Sequence, residues 1–217
     1  MYKIDLHTHS VASKDGGLKR SQYVELLENG VLDVVAITDH NTIELAKDLY
    51  KDYPDSLIIG EEIMTAQGEI IGLYLSSDIE PGMTALETAK EIRGQGGLVY
   101  IPHPFETVRH GIQPDALDEI KYLVDIIEIN NGRALLKSHL PKVAIWAKIN
   151  RVATASSSDA HGLKGVGNSY STVSKKPTKD TLVELLATAR IVAERPPLRT
   201  LLYPKGHRLR KMMVLKK

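Results

Sequence analysis

The chain has 217 residues, of which 42% are hydrophobic and 25% charged, and this composition is that of a folded domain rather than a disordered chain. Its net charge is only +1, and it contains no cysteine, so disulfide frameworks, thiol catalysis and cysteine-ligated metals are excluded. No apolar run approaches the roughly 20 residues of a membrane-spanning helix, and the N-terminus does not resemble a signal peptide, so we expect a cytoplasmic protein without a membrane partner.

Short apolar runs of four to six residues recur along the chain and predict the strands of a sheet. They lie at 2–6, 33–38, 56–60, 70–75, 98–101, 125–129 and 151–155. Several are rich in valine and isoleucine, which is typical of parallel strands that are buried on both faces.

Helical patterns separate most of these runs. They lie at about 21–29, 41–51, 84–93, 114–122, 134–149 and 178–190. Repeated alternation of strand and helix predicts an α/β fold with a parallel sheet, either doubly wound or closed into a barrel.

The charge is divided unevenly between the two parts of the chain. Glu194 is the last acidic residue, and eight lysines and arginines follow it. The first 194 residues hold 20 basic and 27 acidic residues, a net charge of −7. We therefore predict a barrel domain over 1–195 and a basic extension over 196–217 that packs on the barrel or trails from it. The extension offers a binding surface for nucleic acid.

Side chains of the kinds that bind metals collect where the predicted strands end. They are His7, His9, Asp39, His40, Glu61, Glu62, His103, Glu128, Asp159 and His161. Barrel enzymes and open α/β sheets both place their sites at the carboxyl ends of strands. Because six strands contribute to one rim, we favour the closed barrel.

The spacing of these residues favours a metal site. In His7-Thr8-His9 and Asp159-Ala160-His161, alternate residues of an extended chain point the same way, so each pair can aim two ligands at one point. Imidazole and carboxylate together suit Zn, Mn or Fe, and carboxylates can bridge two cations.

Each residue also has an ordinary structural explanation. Asp39 and His40 could cap a helix, Glu61 and Glu62 could be solvated, and Asp159 could belong to a turn. Five of the eight histidines nevertheless fall at strand ends, which favours the metal site. We assign the other three, His110, His139 and His207, to structural or surface roles.

Taken together, the motifs resemble those of the PHP family, the polymerase and histidinol phosphatase superfamily. The matching segments are DLHTHS (5–10), Asp15 before a glycine pair, ITDHN (37–41), IIGEEI (58–63), GEIIGL (68–73), IPHPF (101–105), IEINNGR (127–133) and SSSDAHG (156–162). The resemblance implies a distorted, TIM-like (β/α)7 barrel. It also implies a trinuclear Mn, Fe or Zn centre and hydrolysis of phosphate esters by metal-activated water.

The resemblance also implies which residues bind the three cations. His7, His9, Glu62 and Asp159 would hold the first. Glu62 would bridge to a second cation that also takes His103, and Asp15, His40 and His161 would hold the third.

Glu69 departs from the family pattern. It occupies a position, three residues before Gly72, where the family commonly has a histidine. A glutamate there can still ligate the second cation, and it favours harder ions such as Mn²⁺.

Other residues have candidate roles in catalysis and substrate binding. Asp159 belongs to the catalytic set, and His40 or His161 could position or protonate the leaving group. Arg133 is a candidate phosphate clamp through its bidentate guanidinium, and Arg109 is a candidate for the substrate rim.

The principal hypothesis is a metal-dependent phosphoesterase that acts on a small phosphate monoester or a nucleotide. A PHP-type nuclease is the first alternative, favoured by the basic tail. It is disfavoured because only about 34 positions separate Glu69 from His103, which leaves no room for an inserted domain. An amidohydrolase-like hydrolase is the second alternative, although no lysine follows a predicted strand. A non-catalytic metal-binding module is the third.

Overall fold

The computed structural model describes residues 1–134 and 139–214, which form one nine-stranded sheet surrounded by helices. The strands are β1 (Tyr2–Asp5), β2 (Val34–His40), β3 (Leu57–Thr65), β4 (Gly68–Leu73), β5 (Leu98–Ile101), β6 (Ile126–Asn131), β7 (Ala153–Ser157), β8 (Ser169–Val173) and β9 (Arg190–Ala193). The helices are α1 (Arg20–Glu28), α2 (Glu44–Tyr50), α3 (Ala85–Gly94), α4 (Pro114–Ile120), α5 (Leu140–Asn150), α6 (Leu182–Leu186) and α7 (Tyr203–Val214).

The sheet curls into a nearly closed barrel. Its strand order is β7-β6-β5-β4-β3-β2-β1-β8-β9, and the two ends approach each other. The hydroxyl of Ser156 in β7 donates a 2.7 Å hydrogen bond to the carbonyl oxygen of Val192 in β9. The predicted α/β barrel is therefore confirmed.

The predicted parallel sheet is wrong for two strands, β4 and β8, which run opposite to the other seven. β4 is antiparallel to both β3 and β5, and it follows β3 through the two-residue connection Ala66–Gln67 with no helix between them. β8 is antiparallel to β1, and β9 pairs antiparallel with β8. A hairpin reverses the chain locally, and an apolar run cannot reveal this direction.

Two strands were not predicted at all. β8 reads SYSTV, and its serines face the interior, so it lacks an apolar run. β9 begins at Arg190, the last residue of the helix predicted at 178–190, and within that range the structure has only the short helix α6. The start of the helix predicted at 134–149 includes positions outside the described residues, and the helix itself begins at Leu140.

Apolar packing closes one end of the barrel and leaves the other end polar. Leu182 and Leu186 of α6 pack with Ile4, Tyr100 and Val173 inside the sheet. Helices α3 to α5 cover one outer face, and α1 and α2 cover another. The polar side chains that follow the strands are therefore gathered at the opposite, open end.

The C-terminal segment lies over this open end. A 3-10 turn, Leu198–Leu202, leads into α7, whose Arg208 donates a 2.6 Å hydrogen bond to Asp15 Oδ2. The domain boundary at residue 195 stays a prediction. Among the described residues, no helix is both long enough and apolar enough to cross a membrane.

Candidate metal centre

The nine side chains implied as ligands converge at the open end of the barrel. They are His7, His9, Asp15, His40, Glu62, Glu69, His103, Asp159 and His161, and all but His40 are almost fully buried. In the described part of the chain, four sets of three donor atoms each lie within 4.8 Å of one another.

The first of these groups is built on the segment that leaves β1. His7 Nε2 and His9 Nε2 are 3.1 Å apart, since alternate residues of an extended chain share a face. Asp159 Oδ1 lies 3.7 Å from the His7 nitrogen and 3.4 Å from the His9 nitrogen. Burial alone would lower the pKa of His9, but the carboxylates of Asp159 and Glu62 raise it to about 9.

Glu62 is the shared element of the cluster. Its Oε1 is 3.1 Å from His103 Nε2, while its Oε2 is 3.2 Å from His9 Nε2 and 3.3 Å from His40 Nδ1. Burial tends to raise the pKa of Glu62, but the imidazoles of His7 and His40 hold it well below its usual range. One carboxylate thus faces two sides of the cluster, as a bridging ligand must.

Glu69 reaches the same cluster because β3 and β4 form a hairpin. In this pairing Glu69 stands opposite Met64, so the start of β4 lies beside the end of β3. Its carboxylate oxygens lie 3.6 Å from His40 Nδ1 and 3.6 Å from His103 Nε2. Burial and the charges of Glu62 and Asp159 raise the pKa of Glu69 to about 9.

Asp15, in the loop after β1, lies beside His40 and His161 but belongs to none of the four sets. Asp15 Oδ1 lies 3.6 Å from His40 Nε2 and 3.7 Å from His161 Nε2. This oxygen is buried and accepts no hydrogen bond from any described residue. Burial disfavours its charged form, yet His40, His9 and Arg208 lower the pKa of Asp15.

The donor set fits divalent cations. It consists only of imidazole nitrogens and carboxylate oxygens, which suit Mn, Fe and Zn. Several carboxylates are buried within a few ångströms of one another, and a cation would relieve their mutual repulsion. The unpartnered oxygen of Asp15 points to the same conclusion.

Comparison with known proteins finds two relatives of this chain, both from one archaeon. No model of a known protein family matches it. Two uncharacterized proteins of Methanocaldococcus jannaschii do. MJ1587 is 40% identical over 49% of this chain and 70% of its own length, and MJ0417 is 33% identical over 77% and 69%. The chain belongs to the family of these two proteins.

Solved structures identify the fold. A two-domain protein from Bacteroides vulgatus, described as containing a predicted PHP-like metal-dependent phosphoesterase, has a TM-score of 0.71 at 19% identity, over 89% of this chain and 65% of that one. An amidohydrolase from Chromobacterium violaceum has a TM-score of 0.61 at 16% identity, over 88% and 98%. A lesion-specific endonuclease from Pyrococcus furiosus has a TM-score of 0.59 at 16% identity, over 88% and 57%. The fold is the PHP fold, and the resemblance expected from the motifs is confirmed.

Beneath the cluster of nine side chains lies Glu128, which the sequence placed at a strand end without a ligand role. Glu128 Oε1 is 3.2 Å from His7 Nδ1 and accepts a 2.9 Å hydrogen bond from the Tyr100 hydroxyl. Its Oε2 accepts hydrogen bonds from the His103 backbone N–H (2.7 Å) and from Asn131 (2.8 Å). Glu128 therefore orients the His7 ring and fixes the backbone at His103. The sequence showed it only as a charged residue inside an apolar strand.

Two other acidic residues at strand ends lie outside the cluster. Asp39 accepts a 2.6 Å hydrogen bond from the Ser10 N–H and a second one from the Ser10 hydroxyl. Glu61 follows the alternation of β3 away from Glu62 and accepts a 2.9 Å hydrogen bond from the Ile79 N–H. Both stabilise loops around the barrel mouth.

The two arginines predicted at the substrate rim both contact Asp159. Arg109 Nη1 is 2.8 Å from Asp159 Oδ2, and Arg133 Nη1 is 3.2 Å from both oxygens. Burial would raise the pKa of Asp159, but Arg133 and His7 hold it well below its usual range. The buried Nε of Arg133 donates to no described residue.

A cleft of about 660 Å³ opens above the cluster. Arg133, Lys205 and Arg208 give its wall positive charge, and Val108 and Leu209 give it an apolar part. The volume is that of a site for a small molecule.

The three histidines left out of the predicted site are spread around it. His110 lines the cleft, and His139 is exposed just before α5. His207 packs against Gly17.

Proposed function

We propose that this chain is a metal-dependent phosphoesterase that hydrolyses a small phosphate monoester or a nucleotide. The observation that carries the proposal is the convergence of nine nitrogen- and oxygen-donor side chains beneath a cleft with a cationic wall. Phosphate esters carry the negative charge that such a cleft attracts, and their hydrolysis is a common use of clustered cations.

The centre would hold up to three divalent ions, Mn, Fe or Zn. His7, His9, Glu62 and Asp159 would bind one ion, and Glu62, Glu69 and His103 a second. Asp15, His40 and His161 would bind a third. When bound, such ions lower the pKa of a water molecule and offset negative charge on the phosphoryl oxygens.

The protein's own groups would bind and orient the substrate. Arg133 lines the cleft and would present its guanidinium to a phosphate oxygen while Asp159 holds its Nη1 in place. Arg109 is held by Glu106 and Asp159, so its guanidinium is fixed in position before substrate arrives. Such preorganised donors bind phosphate without a further loss of side-chain entropy.

The same geometry restricts the proton-donor role suggested for His40 and His161. The two nitrogens of His40 face Glu62 and Asp15, and those of His161 face Asp159 and Asp15. Burial lowers the pKa of His40 to about 4, against the opposing effect of Glu62, so the ring is neutral and fit to bind a cation. We therefore favour the ligand role for both residues.

A PHP-type nuclease is the main alternative, and the endonuclease among the structural neighbours supports it. The arrangement of the basic extension favours the small substrate instead. Arg208 and Lys211 contact the barrel's own Asp15 loop, and Leu201 and Lys205 line the cleft. A helix in this place narrows the approach for a nucleic-acid chain.

An amidohydrolase-like hydrolase is the second alternative, since one structural neighbour is described as an amidohydrolase. Glu62, rather than a lysine, holds the bridging position among the imidazoles. This favours the phosphoesterase.

The test is a substrate panel with the purified full chain and added Mn²⁺. We expect turnover of 4-nitrophenyl phosphate or a mononucleotide, and weaker turnover of bis(4-nitrophenyl) phosphate and of a short single-stranded oligonucleotide. Preferential cleavage of the oligonucleotide would favour the nuclease, and turnover of amide substrates alone would favour the amidohydrolase. No turnover of any compound, together with no bound metal, would contradict all three functions.

A further inference from the structure

The basic C-terminal helix holds the loop that carries Asp15. Lys211 Nζ donates hydrogen bonds to three backbone carbonyl oxygens of this loop, those of Val11 (2.8 Å), Ser13 and Gly16 (3.2 Å). An ammonium group has three N–H donors, so one side chain can bind all three carbonyls. The loop between β1 and α1 has no helix or extended strand of its own, and these contacts fix its path.

A second residue of the same helix contacts Asp15 directly. Arg208, one turn before Lys211, donates its 2.6 Å hydrogen bond to Oδ2. The other oxygen, Oδ1, stays turned towards His40 and His161. Arg208 therefore fixes the carboxylate while leaving one oxygen for a cation.

Close packing against α7 also involves the loop that carries His161. A Cβ atom at Gly162, the next residue, would lie 2.7 Å from the ring of Tyr203 at the start of α7. A Cβ atom at Gly17, near Asp15, would lie 2.3 Å from His207 Nε2. Neither glycine lies in the left-handed region of φ, so each is explained by the close approach of the helix.

We infer that α7 is a structural part of the metal centre, and that Lys211 and Arg208 are positioning residues for the cation held by Asp15, His40 and His161. The inference rests on the proposed function, because it takes the centre to be a metal centre. The helix contacts the loops of two of the three ligands in this group. Glu62 lies within β3 and His103 lies two residues after β5, and no hydrogen bond or ion pair joins either side chain to the described residues of α7.

The experiment counts cations in the full chain. Wild type, Lys211→Met and Lys211→Arg are titrated calorimetrically with Mn²⁺, and retained metal is measured after dialysis. Arg199→Met, which removes an exposed charge of the same C-terminal segment, is the matched control.

We expect three cations per chain in wild type and in the control. In Lys211→Met two cations should keep their affinity and one should bind about 10-fold more weakly or worse, as for other residues that orient ligands. Lys211→Arg, which keeps a multiple donor, should recover most of the loss.

A purely structural role would give a different result. It would lower the melting temperature of the metal-free chain and weaken all cations together, and that outcome would overturn the inference. Three cations of unchanged affinity in Lys211→Met would also overturn it while leaving the proposed centre intact. A wild-type chain that binds no cation would instead contradict the proposed centre itself.

A second pair of variants keeps the test sound if Lys211→Met does not fold. Gly162→Ala should displace α7 and weaken the same single cation, because the new methyl group overlaps the Tyr203 ring. Gly162→Ala combined with Tyr203→Ala removes the overlap and should restore much of the affinity. Equal affinity in wild type and Gly162→Ala would contradict the role of α7.

Discussion

Glu128 and His7 form a pair in which one ring nitrogen is held by the protein and the other is left for a cation. His7 Nδ1 lies 3.2 Å from Glu128 Oε1, and Nε2 of the same ring faces His9 and Glu62. Pairing with the carboxylate favours a proton on Nδ1 and a free lone pair on Nε2. This is the arrangement by which carboxylates orient metal-binding histidines and raise their basicity.

Glu128→Gln should weaken cation binding without removing a ligand. The amide can no longer hold a negative charge beside His7, so we expect the affinity for Mn²⁺ or Zn²⁺ to fall about 10- to 100-fold. Calorimetric titration measures this, with exposed Glu119→Gln as the control. Unchanged affinity in Glu128→Gln would show that His7 does not depend on this carboxylate.

The sequence predicted the positions of most strands and helices and of the candidate site residues, but it did not predict the directions of the strands. Seven strands and most helices were placed because their apolar periodicity is strong. All nine implied ligands come together, but the sequence could not show why Glu69 lies among them. Its position beside Glu62 depends on the β3–β4 hairpin, and a short apolar run carries no information about direction.

Long-range packing explains what the sequence could not reveal. The basic extension was predicted either to pack on the barrel or to trail from it, and the sequence could not show that Arg208 contacts Asp15 across 193 positions. Glu128 was visible as a charge within an apolar strand, but its contacts with His7 and Tyr100 join it to residues 121 and 28 positions away. Such contacts arise only when the barrel closes.

Asp159→Asn should abolish turnover while keeping the shape of the site. The amide removes the negative charge shared by His7, His9 and the two arginines. We expect kcat to fall by more than about 100-fold, beyond the usual effect of a residue that only orients ligands. Assays with Mn²⁺ and the best substrate of the panel measure this, and near-ultraviolet circular dichroism checks the fold. Exposed Asp55→Asn is the control. Full activity in Asp159→Asn would mean that the site is misassigned.

Arg133→Lys should affect substrate binding more than turnover. Lysine keeps the charge but loses the planar fork whose buried Nε has no partner among the described residues. We expect KM for the phosphate ester to rise about 10-fold, the effect of one lost charged hydrogen bond, while kcat changes little. Steady-state kinetics separate the two constants, with exposed Arg199→Lys as the reference. A loss confined to kcat would argue against a substrate clamp.

Glu69→His should change which cation the centre prefers. At present Glu69 Oε2 lies 3.6 Å from His103 Nε2. The substitution replaces this oxygen donor by a nitrogen donor, and nitrogen donors favour Zn²⁺ over Mn²⁺. We expect the ratio of Zn²⁺ to Mn²⁺ affinity to rise by about 10-fold, one order of magnitude being about 1.4 kcal/mol. Competition titrations measure the ratio, and exposed Glu80→His is the control. An unchanged ratio would remove Glu69 from the ligand set.

Glu61 should make the stability of the chain depend on pH independently of the metal centre. Its side chain is fully buried on the other side of β3 from Glu62. Burial raises the pKa of Glu61 to about 7, against the opposing hydrogen bond from the Ile79 N–H. Between pH 4.5 and 7 the folded chain therefore holds a proton that the unfolded chain has released, so stability falls as the pH rises through this range.

Glu61→Gln should remove this dependence, because the amide oxygen can still accept the Ile79 hydrogen bond and never becomes charged. Relative to wild type, the variant should gain stability between pH 5 and pH 8, by at most about 3 kcal/mol at 1.36 kcal/mol per pKa unit. Urea denaturation of both metal-free chains at the two pH values measures the difference. If wild type and Glu61→Gln lose stability in parallel as the pH rises, the Glu61 carboxyl is ionised in the folded chain throughout, and its burial does not raise its pKa.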